Sequence, residues 1–168
     1  MCLRCANLCL NRLCKGCENK GFTLIEVLIV IGIIAILATV VLVAVNPTRQ
    51  FKLARDSQRT SNVNAILNAV HQNISEHRGT FVCEDEIREV PLVATVIKSD
   101  ADINNPGHVA KCLVPDYLSA LPFDPLLEGA HYTSTDDYDT GYEFLMDADG
   151  RITVKAVGEL AGTISVTR

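Results

Sequence analysis

The chain has 168 residues, 48% of them apolar and 21% charged, with a net charge of −5 and a mean hydropathy of +0.21. That is enough for about one domain, and it excludes a disordered tail, a collagen-like repeat and a multi-span membrane protein. The apolar and charged residues are ordinary in number but unevenly placed.

Residues 1–21 are basic: Arg4, Arg12, Lys15 and Lys20 stand against Glu18 alone. They also hold five of the seven cysteines, Cys2, Cys5, Cys9, Cys14 and Cys17. Cys2/Cys5 and Cys14/Cys17 have the Cys-x-x-Cys spacing of zinc ligands, but only eight residues separate the pairs and no apolar core accompanies them. A start further along the chain, removing several of these cysteines, is the other reading.

From Leu24 to Val45 every residue is apolar or small except Glu26 and Thr39, and there is no Lys, Arg or Asp. Twenty-two residues of helix rise about 33 Å, the thickness of a bilayer's hydrocarbon core. The basic residues ahead of the run favour a cytoplasmic N-terminus and export of residues 46–168. A cleaved secretory signal carries its small residue after a shorter apolar core. Here Gly21 comes before it.

The boundary reads Lys20-Gly21-Phe22-Thr23-Leu24-Ile25-Glu26, followed by Val27-Leu28-Ile29-Val30. It resembles the signal shared by type IV prepilins and type II secretion pseudopilins, densely over residues 20–80. A looser likeness continues through Cys112-Leu-Val-Pro-Asp-Tyr-Leu118 and Leu121-Pro-Phe-Asp-Pro125. The resemblance implies cleavage between Gly21 and Phe22 by a membrane peptidase that also methylates the new amine of Phe22. Residues 1–21 would then be a removed leader, 22–45 a transmembrane and assembly helix, 46–78 its amphipathic continuation and 79–168 the head. The implied fold is α+β and type IV pilin-like, a long N-terminal helix packed against a small antiparallel sheet. The implied partners are identical or homologous subunits, the prepilin peptidase/methyltransferase, a membrane assembly platform and, before assembly, the lipid bilayer.

Glu26 supports this reading on its own chemistry. An ionisable group within a span costs several kcal/mol unless paired or functional. Four residues separate it from Phe22, so parallel stacking of helices brings one subunit's carboxylate to the next subunit's terminal amine and sets the axial register. In an arbitrary single-span protein the same Glu would snorkel to the interface or take up a proton.

Asn46-Pro47 predicts a bend or loosened turn, because proline lacks an N–H and clashes with the carbonyl four residues back. Many pilins have their proline a few residues earlier, where this chain has Val43 and its neighbours. Beyond it, Phe51, Ala54, Val63, Ile66, Leu67, Val70 and Ile74 recur at helical spacing, with Gly79 as the stop. This stripe is expected to pack against the head. Arg49, Lys52, Arg55 and Arg59 read as a solvated or subunit-facing surface rather than a DNA-binding strip, and His71 and His77 as solvated.

After Gly79, short apolar stretches at Pro91–Ile97, Tyr142–Met146, Arg151–Val157 and Thr163–Thr167 are strand candidates, with 98–141 rich in loops. Asp147-Ala-Asp-Gly150 reads as a hairpin turn. Cys83 and Cys112, the cysteines outside the leader, form a disulfide if the head is exported, closing a loop with about 3–4 kcal/mol of entropic stabilisation. In a reducing setting they are two buried thiols.

Asp136, Asp137 and Asp139, with Asp147 and Asp149, are the candidate calcium ligands, though Asp147-x-Asp149-Gly150 lacks the third ligand and distal Glu of an EF-hand loop and a solvated turn is the favoured reading. No other cofactor is indicated. Residues 79–168 hold sixteen acidic and six basic side chains, which argues against nucleic-acid binding by the isolated head. His108 and His131 have no recognisable catalytic partners, so no enzyme activity is expected. The expectation is a pilin, membrane-held with its head outside and then part of a surface pilus. A periplasmic secretion pseudopilus is the alternative within the class, and a membrane-anchored binding module that never polymerises is the alternative outside it.

Overall fold

The computed structural model describes residues 21–84, 86–99 and 105–168; the leader cysteines and Lys20 lie outside the described residues. The chain divides into two compact units, Met1–Val45 and Asn46–Arg168. In the first, α1 runs from Leu24 to Val45. Thr23 is its cap: the Glu26 N–H donates to Thr23 Oγ1 at 3.2 Å and to the Thr23 carbonyl at 3.1 Å. Thr39 settles its hydroxyl inside the helix by donating to the Ala35 carbonyl at 2.6 Å. Ile and Val make up much of α1, and their modest helix propensity is overridden where lipid offers the backbone no partners but its own.

The second unit starts with α2, Pro47–Glu76. The expected bend is instead an end and a fresh start. Asn46 adopts φ 45° and ψ 78°, its side chain accepts the Arg49 N–H, and Pro47 occupies the first turn, where a missing N–H is harmless. At the far end Arg78 takes φ 60° and the Gly79 N–H reaches back to the Ile74 carbonyl at 2.8 Å, a Schellman closure. The stop falls where expected, with Arg78 as the left-handed residue ahead of Gly79.

A short hairpin, β1 (Val82–Cys83) and β2 (Glu86–Ile87), follows the helix. Then come β3 (Thr95–Lys98), the single-turn α3 (Ala110–Leu113), β4 (His131–Ser134), β5 (Asp137–Met146), β6 (Ile152–Val157) and β7 (Thr163–Thr167). The main sheet is antiparallel in the order β3-β5-β6-β7, with β4 also paired to β5. The fold is therefore α+β: an apolar N-terminal helix, a second helix and a small antiparallel sheet. Alternation along β5 and β6 sends Tyr142, Phe144, Ile152, Val154 and Ala156 into the core. There they join Val63, Ile66, Leu67 and Val70 of α2. The β5–β6 turn is Asp147-Ala-Asp-Gly150: Gly150 has φ 79° and Asp147 Oδ1 accepts the N–H groups of Asp149 and Arg151.

Two expectations for α2 fail. Phe51 and Ala54 have the right phase but are exposed, because the covered face begins only at Asp56. Arg59, read as solvated, is 3% exposed and is the centre of a buried ion cluster. Its guanidinium donates to both oxygens of Asp124 at 2.6 and 3.0 Å, to Asp56 at 2.8 Å and to Glu159 at 3.2 Å. Arg55 adds a two-pronged pair with Glu159. Asp56 also accepts the backbone N–H groups of Glu159, Leu160 and Ala161, so one carboxylate holds the whole β6–β7 turn. Each charge has a partner, without which burial would be prohibitive.

These contacts hold two carboxyls low. The Glu159 N–H, with further N–H groups and Arg59, takes Asp56 from 3.8 to about 2, and Arg55, then Arg59, takes Glu159 from 4.5 to about 2. Both folded values lie below the unfolded ones, so the stabilisation is complete above the ordinary carboxylate range and is lost as pH falls. We predict that the thermal midpoint of the full chain in detergent is insensitive to these two groups above pH 4.5 and drops steadily as pH falls from there to about 2. A midpoint unchanged across that interval would refute the assignment.

Candidate functional site

The start of α1 brings the expected processing and assembly residues together. Gly21 and Phe22 precede the helix and are exposed, and a Cβ built on Gly21 would meet no atom of the described residues within 4 Å. Nothing in the fold therefore demands glycine there. Phe22 and Glu26 share one face of the helix, where they line a shallow apolar groove with Val27, Val30 and Ile31. The Glu26 carboxylate has no hydrogen-bond or ion-pair partner among the described residues. Thr23-Leu24-Ile25-Glu26 has the form of a capping box, of which the Thr23 half is closed. Glu26 in the first turn also sits favourably in the helix dipole.

α1 is apolar on every side. Phe22 is 81% exposed, and the large side chains from Leu24 to Val43 are about half exposed or more. Leu24–Ala44 is long and apolar enough to cross a bilayer. Residues 18–42 match the family described as the prokaryotic N-terminal methylation motif. The chain carries a prepilin-type methylation signal. The motif is that of type IV pilins and pseudopilins, which are structural subunits, and it goes with membrane anchoring through the apolar helix and with prepilin processing and assembly beside other subunits. It spans Gly21, Phe22 and Glu26 and ends within α1. No curated protein and no solved structure matches the chain.

In the head, Cys83 of β1 and Cys112 of α3 are joined by a disulfide. Asn73 of α2 fastens the same two elements: its side-chain amide donates to the carbonyls of Val82 and Cys112 and accepts the Val82 N–H, all between 2.9 and 3.1 Å. Tyr117 adds a hydroxyl bond to Glu76 at 2.9 Å. Helix end, hairpin and α3 thus form one cross-linked corner.

The candidate calcium residues do not converge. Asp136 pairs with Lys111 at 2.8 Å, Asp137 with His131 at 3.0 Å, and Asp139 accepts the Gly141 N–H at 2.9 Å. Asp147 and Asp149 are both engaged by Arg151. Among the described residues no group of three His, Cys, Asp or Glu could hold a metal ion. His131 faces two acceptors, the Gly129 carbonyl and Asp137, so its imidazolium form is favoured and its pKa is raised. His77 Nδ1 lies 2.7 Å from the Asn73 carbonyl, whereas His71, expected to be solvated, is half-buried, with its Nε2 enclosed and unbonded among the described residues.

Sequence reasoning missed the Thr23 cap, the Asn73 clasp and the Arg59 cluster. The Thr-x-x-Glu spacing signals the first. Arg59 falls in phase with Val63, Ile66 and Val70, a periodicity that places it on the covered face despite its charge. Asn73 continues that phase.

We predict that exported protein alkylated before lysis yields a Cys83–Cys112 linked peptide on non-reducing mapping. Recovery of both as alkylated thiols would disprove the bridge in the cell.

Proposed function

We propose that the chain is a structural subunit of a type IV pilus-like filament, cut between Gly21 and Phe22, methylated on Phe22 and polymerised through α1. The observation that carries this reading is an apolar helix exposed all round, beginning with a methylation motif and bearing one unpaired carboxylate. Such a helix needs lipid before assembly and neighbouring helices after it. Glu26 supplies what apolar packing lacks, a directional requirement. Its carboxylate pairs with the Phe22 amine of the adjoining subunit, so each incoming helix stops at one height. The partners are identical or homologous subunits, the prepilin peptidase/methyltransferase and an assembly platform. The precursor sits in the cytoplasmic membrane with its head outside.

Gly21 serves the peptidase alone, since the fold leaves room for a side chain. Gly21→Leu is therefore expected to fold normally yet persist as the uncut precursor, read by intact mass of the membrane fraction. Normal cleavage and methylation of that variant would overturn the assignment.

Glu26→Ala is expected to insert and be cleaved, because losing a charge makes the span more apolar. Fibre recovery should collapse, since each incoming subunit would bring an ammonium without its partner, at about 3–5 kcal/mol. Glu26→Gln, which accepts a hydrogen bond but carries no charge, should also assemble poorly. Sheared fibres are measured against membrane-fraction protein. Wild-type fibre from Glu26→Ala with cleavage intact would end the pairing mechanism.

A further inference from the structure

Asn73 is 2% exposed, and its side chain holds the backbone beside both head cysteines. Nδ2 donates to the Val82 carbonyl at 2.9 Å and to the Cys112 carbonyl at 3.1 Å, while Oδ1 accepts the Val82 N–H at 2.9 Å. The Val82 carbonyl belongs to the peptide unit that leads into Cys83. One amide group therefore spans the gap between the two cysteine backbones. None of its three bonds involves sulfur, so nothing in them requires the thiols to be joined.

The three segments that meet at this amide are each seated without help from the disulfide. Asn73 itself is fixed in the last turn of α2, where its carbonyl accepts the His77 N–H at 3.1 Å. Phe81, just ahead of β1, is buried, and its carbonyl accepts the Arg88 N–H at 2.8 Å. In α3 the Ala110 N–H donates to Tyr138 Oη at 3.1 Å, and Ala110 and Leu113 are buried. In an unfolded chain two thiols 29 residues apart meet at an effective concentration on the order of millimolar. Fixing their backbones before they react removes that search and raises the value.

We infer that Asn73 is the positioning residue for this disulfide: it closes the corner of α2, β1 and α3 around free thiols, and the Cys83–Cys112 bond then locks a geometry already made. With a small-molecule disulfide such as oxidised glutathione as oxidant, the bond forms by two exchanges. One protein thiolate attacks the oxidant and releases one glutathione; the other attacks the mixed disulfide and releases the second. The two cysteines are oxidised, the oxidant is reduced, and the two protein protons end on the two glutathione thiols. Asn73 exchanges no electrons and acts only on where the sulfurs are held. The inference goes beyond the filament reading and concerns the head whether or not α1 polymerises.

The full chain in detergent is equilibrated with reduced and oxidised glutathione near neutral pH, approached from both sides. Differential alkylation and peptide mapping then read the joined and free fractions of Cys83 and Cys112 apart from the leader cysteines. Asn73→Ala is expected to lower the effective concentration of one thiol at the other by roughly tenfold. Val154→Ala, in the buried part of β6 and outside this corner, weakens the oxidised and reduced heads alike and should leave the ratio at the wild-type value. Hydrogen exchange at the Val82 amide, whose acceptor is Asn73 Oδ1, is followed in wild-type chain kept reduced with dithiothreitol. Protection is expected there, and if Asn73→Ala does not fold this measurement decides alone. An unprotected Val82 amide in the reduced chain would show that the bond builds the corner, and would overturn the proposal. A folded Asn73→Ala with the wild-type ratio, or a Val154→Ala that lowers the ratio as far, would overturn it equally.

Discussion

The constraint on which the rest depends is that α1 has no cover of its own. Sixteen of its twenty-two residues are Leu, Ile or Val, and those from Leu24 to Val43 are each about half exposed or more. At about 25 cal/mol per Å² of apolar surface, such a helix cannot stand in water. It needs hydrocarbon or other helices of the same kind, and both are equally apolar. Exchange between them is therefore possible without a large energetic step, and in the proposed filament specificity falls to the one ionisable group of α1. Glu26 is that group. Its position four residues after Phe22, lining the same groove, is what the proposed pairing would use to set the height of each helix.

The head answers a different problem, that of fastening a sheet to one long helix with a small core. Val63, Ile66, Leu67 and Val70 supply the apolar contact, and the two ends of the covered face are closed by polar devices. At the lower end Arg59 and Asp56 gather the Asp124 loop and the β6–β7 turn. At the upper end Asn73 and the Cys83–Cys112 bridge gather β1 and α3. The lower device is electrostatic and so acid-sensitive; the upper one is covalent and amide-based and has no carboxylate at its centre.

The extent to which this was legible in the sequence follows from length and period. α1 shows itself by an unbroken apolar run, β5 to β7 by alternation over five or more residues, and the β5–β6 turn by Asp and Gly at the positions a tight turn requires. By contrast β1 and β2 have two residues each and α3 and β4 four, too short for any period to emerge, and they exist because Asn73, the disulfide and β5 hold them. Arg59 was misjudged because charge was weighed above phase: its position matched the buried face, and besides the nearby Asp56 its partners Asp124 and Glu159 stand 65 and 100 places further along the chain, which local pattern cannot foresee. Phe51 and Ala54 were misjudged in the opposite sense, since their phase was right but the sheet does not extend beneath them. The methylation signal was readable because it lies within a few consecutive residues, Gly21 to Glu26.

Asn46 has a consequence of its own. A helix that continues from another borrows its first acceptors from the preceding turn; α2 does not. The Arg49 and Gln50 N–H groups are met by the Asn46 side chain and carbonyl, and Pro47 has none to satisfy. The head therefore takes its first turn from residues within its own unit. Whatever α1 experiences, whether hydration during synthesis, lipid, or close packing with its neighbours, no hydrogen bond at the start of α2 has to be remade. Asn46 works as a fuse box between two circuits: the anchor can change its surroundings completely while the backbone bonding that begins the head stays as it was.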